Sequence, residues 1–264
     1  MKIELRYFTG TGNSWKVLHD AQSKFLKSGH DVNLAKLDPQ EHELHADMIG
    51  FAFPVYSFGM AHIVRKYFKS LKPFIEKQKV FLLITSGDVK GSSSTSKKCI
   101  RLLSKKNCDI IYSDVIKMPH NWITFSNASS DEEIQVIIAD EEKQITKIVD
   151  HVINDVRYHH DVKQTPVVLR SLGNAVNVLF RSVGRKKLMD WYRVYDSCDG
   201  CGLCADACPT GCIEMNNGKP NWKGSCEQCM RCVIICPQEA IYQKFGDTKG
   251  KKRYFAPGFD PMEQ

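Results

Sequence analysis

The chain has 264 residues, 42% of them hydrophobic, and a net charge of +7. That is enough length and apolar material for one ordinary domain and a small second one, and it excludes intrinsic disorder as the default. Met1 to Arg6 alternates charged and apolar residues, so no export signal is expected. No later stretch approaches the roughly 18 apolar residues of a membrane span, and the expected location is the cytoplasm.

Residues 2–8 alternate like a strand, and a helical pattern runs from Trp15 to about Lys27. Between them lies Thr9-Gly10-Thr11-Gly12-Asn13-Ser14, a small, hydroxyl-rich loop. Strand, loop and helix in that order offer backbone N–H groups to a phosphate at a helix start. No Gly-Lys-Ser/Thr follows, and Trp15 stands where the dinucleotide fingerprint needs its third glycine. Further strands are predicted over 31–37, 47–54, 79–85 and 110–117, with helices near 58–70, 92–105 and 131–158. Five strands alternating with helices predict an α/β domain, a doubly wound parallel sheet with helices on both faces. Ligands of such sheets sit beyond the C-terminal strand ends, which here means loops 9–14, 54–59 and 85–92.

Pro166 is expected to break the preceding helix. From Val167 to Val183, apolar residues at 168, 169, 172, 175, 176, 179, 180 and 183 make a helical stripe. The favoured expectation is that this stripe docks the second module on the first. The less favoured one is peripheral membrane contact, with Arg170, Arg181 and Arg185-Lys186-Lys187 meeting lipid phosphates. Lys163 and Arg193 add to this basic segment, but no nucleic-acid motif accompanies it, so no nucleic-acid partner is expected.

Eight of the eleven cysteines fall into two copies of one motif. Cys198, Cys201, Cys204 and Cys208-Pro209 are the first C-x2-C-x2-C-x3-C-P, and Cys226, Cys229, Cys232 and Cys236-Pro237 repeat it 28 residues later. Ile213 and Ile241 keep the register beyond the cysteines. Three cysteines at steps of three wrap one cubane, and the fourth reaches the neighbouring one. Cys198, Cys201, Cys204 and Cys236 are thus predicted to hold one [4Fe-4S] cluster, and Cys208, Cys226, Cys229 and Cys232 the other. Zinc sites favour separate C-x2-C pairs instead. Gly202 is expected to bring backbone N–H groups near the cluster sulfurs. Cys99, Cys108 and Cys212 read as ordinary thiols, and the tail from Lys244, with Lys251-Lys252-Arg253, as solvated and mobile.

Residues 9–14 resemble the FMN phosphate loop of the flavodoxin family, T-x-T-G-x-T/S, through Thr9, Thr11, Gly12, Asn13 and Ser14. With the cysteine repeat, nearly the whole chain resembles flavodoxin–ferredoxin fusion proteins. The resemblance implies a flavodoxin-like fold followed by a small α+β ferredoxin module. It also implies FMN, with ring contacts from Pro54, Tyr56 and Phe58 in one loop and Ser86, Gly87 and Asp88 in another; Trp122 is a further aromatic that could reach the ring.

The expected organisation is a flavin domain over 1–158, a helical connection over 159–195, a ferredoxin module over 196–245 and a tail over 246–264. The expected function is electron transport between FMN and two [4Fe-4S] clusters in a low-potential pathway, with redox proteins as partners. The alternatives are an FMN-dependent oxidoreductase acting on a quinone, flavin or other small acceptor, and a redox-sensing regulator.

Overall fold

A computed structural model of the chain describes residues 1–160 and 167–263. Lys163 and Pro166, and the side chains of Leu169 and Arg170, lie outside the described residues. The long parallel strands are β1 (Lys2–Tyr7), β2 (Asp31–Lys36), β3 (Met48–Tyr56), then β5 (Gln78–Ser86) and β6 (Cys108–Lys117). Two pairs of residues complete the sheet: β4 (Gly59–Met60) folds back on β3, and β7 (Tyr158–His159) extends the far edge. The order β2-β1-β3-β5-β6-β7 becomes, without the short β4 and β7, the flavodoxin-like order.

Helices cover both faces: α1 (Asn13–Lys27) and α4 (Asp131–Ile153) on one, α2 (His62–Ser70) and α3 (Val89–Ser104) on the other. The central strands are therefore buried on both sides, which is why Met48–Phe53 and Val80–Ile84 are nearly continuous apolar runs. Helix α4 starts at a capping box, where Ser130 and Glu133 exchange bonds of 3.0 and 3.2 Å. It stops five residues short of the expected 158, because Asn154 caps it and Asp155 turns to φ 55°. The released chain supplies β7.

Under the phosphate-type loop, Glu141 of α4 is 1% exposed and lies 3.6 Å from Lys16 of α1. Burial, reinforced by the nearby Asp20 charge, pushes its carboxyl up to about 8. The folded chain thus keeps a proton that an unfolded glutamic acid releases near pH 4. Its contribution to stability is complete below that range and is lost as the pH rises through about 8. Glu141→Gln is expected to raise the thermal midpoint at pH 8 and to change it little at pH 5; an equal shift at both would refute the assignment.

The second module contains β8 (Tyr192–Val194), α7 (Leu203–Asp206), β9 (Ile213–Asn216), β10 (Lys219–Trp222), α8 (Arg231–Ile235) and β11 (Ile241–Gln243). β9 pairs with β10 and β8 with β11, both antiparallel. The cysteine repeat extends to the backbone. Gly200, Gly202 and Gly211 have φ of 77°, 83° and 59°, and their counterparts Gln228, Met230 and Glu239 have 58°, 64° and 50°. Side chains rarely adopt this left-handed region, so the second copy holds a conformation its residue types disfavour.

Two expectations fail here. The connecting segment forms α5 (Val167–Leu179), a π-turn (Phe180–Gly184) and α6 (Arg185–Met189), but among the described residues its apolar stripe, Phe180 apart, does not dock the module. Val168, Leu172, Val176, Leu179 and Val183 point to solvent, while Gly173, Asn177 and Arg185 face inward. The tail is not solvated either. Thr248, Tyr254, Ala256 and Phe259 are buried, and Ala256 N–H donates to the Thr11 carbonyl at 2.8 Å. Tyr254 and Phe259 belong to a core running unbroken from α1 and α4 into the second module.

Candidate functional site

A cavity of about 470 Å³ lies beyond the C-terminal ends of β1, β3 and β5. Its floor is the loop between β1 and α1. Gly12 adopts φ 97° and precedes the helix, whose first intrahelical bond is Lys16 N–H to the Gly12 carbonyl at 2.8 Å. The first N–H groups of α1 have no intrahelical acceptor, as at any helix start. The Thr9 hydroxyl accepts from Gly12 N–H at 3.0 Å, and the Thr11 hydroxyl accepts from the Asn121 amide. Both hydroxyl protons are left to donate elsewhere.

Of the predicted residues, Thr9, Thr11, Asn13, Pro54, Tyr56, Phe58, Ser86, Gly87 and Asp88 line the cavity. Gly12 and Ser14 do not. A Cβ on Gly12 would sit 2.6 Å from the Phe259 ring, and Ser14 is buried beneath the loop with its hydroxyl 2.7 Å from that of Thr85. Gly12 thus shapes the loop and admits the tail, and Ser14 ties the loop to β5.

The loop after β3 is strained, with Ser57 at φ 46° and Phe58 at φ 62°. Asn177 of α5 holds it, donating to the carbonyls of Tyr56 and Ser57 at 3.3 and 3.1 Å, and Arg181 orients Asn177 from 3.0 Å. Gly59 leaves room for that amide, since a Cβ there would lie 2.4 Å from it. Asn177→Ala is expected to speed hydrogen exchange at Ser57–Gly59 about tenfold, the worth of one net hydrogen bond; unchanged exchange would show that the loop holds itself.

Sequence reasoning missed the residues from the chain's other end. Gln228, Cys229 and Met230 of the second cysteine copy wall the cavity, as do Phe180, Leu188 and the His120-Asn121-Trp122 run after β6. Trp122 had a sequence signal as an aromatic after a strand end, and Cys229 had one as a cluster ligand but not as a cavity wall. The close approach shows at Gly10, where a Cβ would lie 2.7 Å from the Cys229 carbonyl and 2.9 Å from the Tyr56 hydroxyl. Burial, with Cys229 close by, raises the Tyr56 hydroxyl well above its ordinary value.

Arg231 and Glu227 bind the two modules. The Arg231 guanidinium is 4% exposed and donates to the carbonyls of Gly10 (2.5 Å), Thr9 (3.0 Å), Ala207 (3.1 Å) and Pro261 (3.4 Å). Glu227, also buried, accepts from the first N–H groups of α2, His62 at 2.8 Å and Ile63 at 3.0 Å, and meets Arg185 at 3.4 Å. A carboxylate at a helix start is favoured by the helix dipole, yet burial still pushes the Glu227 carboxyl up.

The cysteines gather crosswise. Burial, with Cys236 and Cys201 nearby, pushes the Cys204 thiol up to about 11. Burial likewise raises Cys232, whose thiol neighbours are Cys229, Cys208 and Cys204. Cys208 thus stands near Cys229 and Cys232 of the other copy, and Cys236 near Cys204. Cys212, read from sequence as an ordinary thiol, lies with its Sγ 3.6 Å from that of Cys208. Among the described residues, no three His, Cys, Asp or Glu side chains form a single-ion ligand group. Among the described residues, no helix is long and apolar enough to cross a membrane.

Residues 191–214, which include the first cysteine copy, match the family of 4Fe-4S binding domains (Fer4). No curated protein matches the chain. Among solved structures, the chain is similar to oxidised Flavodoxin 2 from Bacillus cereus, at 10% identity over 58% of this chain and 99% of that one, with a TM-score of 0.45. It is similar to an azoreductase from Bacillus anthracis str. Sterne at 13% identity over 57% and 99% of the two chains, with a TM-score of 0.43. A flavodoxin from the domain Archaea is 14% identical over 57% of this chain and 100% of its own, with a TM-score of 0.37. The chain thus combines a flavodoxin-like parallel sheet with a stretch matching a 4Fe-4S binding domain.

Proposed function

We propose that this chain is an iron–sulfur flavoprotein passing electrons between FMN and two [4Fe-4S] clusters in a reducing cytoplasm. The observation that carries the reading is that Cys229 lines the same cavity as Thr9, Thr11 and Asn13. The cavity is within the usual size range for a cofactor, with the N–H groups and hydroxyls of a phosphate cradle at one end. Thr9, Thr11, Asn13 and the first turn of α1 would hold the phosphate. Pro54, Tyr56, Phe58, Ser86, Gly87 and Asp88 would border the ring.

Residues 1–158 form the flavin domain in this reading, 159–195 the connection, 196–245 the module of both clusters, and 246–264 the tail. FMN supplies a centre that takes electrons singly or in pairs, while each cluster carries one. Cys208, Cys226, Cys229 and Cys232 would hold the inner cluster, beside the flavin cavity. Cys198, Cys201, Cys204 and Cys236 would hold the outer one, where the exposed Cys201 marks the approach for a redox protein. Metal binding would reverse the upward thiol shifts, since a coordinated thiol is deprotonated.

Protein purified without oxygen is expected to carry about eight irons and one flavin per chain, and photoreduction is expected to move electrons between flavin and clusters. A colourless zinc protein, or one in which flavin and clusters reduce independently, would end this reading. A second reading, reduction of a small acceptor at the flavin, is favoured by the exposed Phe58 and Trp122 on the cavity wall. Turnover that varies across an acceptor panel and falls in Trp122→Ala separates it from simple carriage.

A further inference from the structure

The segment that walls the cavity with Phe180 and Leu188 turns its apolar side outward. Leu172 and Leu179 are 59% and 64% exposed, and Val168, Val176 and Val183 continue their line at steps of three and four residues. The inward face carries Gly173, packed on Phe58, and the polar Asn177 and Arg185. A surface helix ordinarily does the reverse, with its apolar stripe toward the core. A solvent-facing aliphatic row of this length marks a surface built to be covered.

Charge identifies what covers it. The sequence has no acidic residue between Asp161 and Asp190, while Lys163, Arg170, Arg181, Arg185, Lys186 and Lys187 lie there. The fold brings Arg65 of α2 and Lys98 of α3 near Arg181, and burial, with these like charges added, depresses both Arg181 and Lys98. Glu227 meets Arg185 of this segment and is also engaged by the start of α2. An aliphatic ridge flanked by self-repelling cations is complementary to a surface that is oily within and negative at its face. The exposed row is aliphatic, whereas protein interfaces favour Tyr, Trp and Arg at their centres.

We propose that α5 and the following π-turn seat the protein on the surface of an anionic bilayer, with Leu172 and Leu179 entering the headgroup boundary and Arg181, Lys186 and Lys187 meeting lipid phosphates. The inference stands apart from the proposed electron transfer, although the seating would bring the cavity wall at Phe180 and Leu188 to the membrane.

The test uses the full cluster-loaded chain and sedimentation with vesicles. It is expected to sediment with mixed phosphatidylcholine–phosphatidylglycerol vesicles, not with phosphatidylcholine alone, and to be released by salt. The paired changes Leu172→Asp with Leu179→Asp, and Lys186→Glu with Lys187→Glu, are each expected to weaken binding about tenfold or more. All four side chains are exposed, so the visible spectrum should be unchanged. No sedimentation with the anionic vesicles, or equal binding by the leucine variant, overturns the proposal. So does a dimer that the leucine variant splits, because a second copy would then be the occupant.

Discussion

Changing Cys208 and Cys212 together to alanine is expected to remove about half of the iron and to stop electron exchange with the flavin. Cys236→Ala is expected to remove the same share and leave that exchange running. The difference follows from the crosswise ligation proposed above. Cys208 belongs in sequence to the first copy but stands among the thiols of the second, the copy whose Cys229 lines the cavity. Cys236 stands beside Cys204, in the set that includes the exposed Cys201. Cys212 must be removed as well, since its sulfur lies 3.6 Å from that of Cys208 and could take its place. Iron per chain and flavin absorbance during illumination read both results. If the Cys236 variant were the one to lose exchange, the inner and outer clusters would be reversed.

Arg231→Met is expected to destabilise the chain by about 3–5 kcal/mol, since several buried carbonyls lose their donor at about 1–3 kcal/mol each. Four carbonyls from three regions of sequence share this guanidinium: Thr9 and Gly10, Ala207, and Pro261. Methionine fills much of the volume and satisfies none of those acceptors, each of which then bears a desolvation cost. Arg231 also lies over the Phe259 ring at 5.2 Å, so the tail should loosen with it. Urea unfolding followed in the visible and by tryptophan fluorescence would read the loss, and the two probes should separate as the modules undock. A variant with an unchanged midpoint would show that the shared core alone holds the modules together.

Local chemistry was legible where it is local. Thr9 to Ser14 can be read as a phosphate-type loop because strand, turn and helix follow within a few residues, and Gly12 takes the positive φ the turn requires. The cysteine spacing speaks for iron because ligand and chain geometry are coupled over three residues. In the first copy the left-handed turns fall on glycines, Gly200, Gly202 and Gly211, of which Gly202 was singled out from the sequence. Those of the second copy were hidden, because Gln228, Met230 and Glu239 carry no sign of the left-handed conformation that their surroundings impose.

The sequence alone determined that the first domain is a parallel α/β sheet, that a hydroxyl-rich loop opens its first helix, and that the cysteines come in two matched sets. Those are consequences of periodicity and short-range geometry. Tertiary structure decided which loops share the cavity, that Cys229 rather than the first copy borders it, that the tail covers Gly12, and that the stripe of α5 faces outward. A helical period reveals that a helix has two faces, but which one is buried depends on partners far away in the chain.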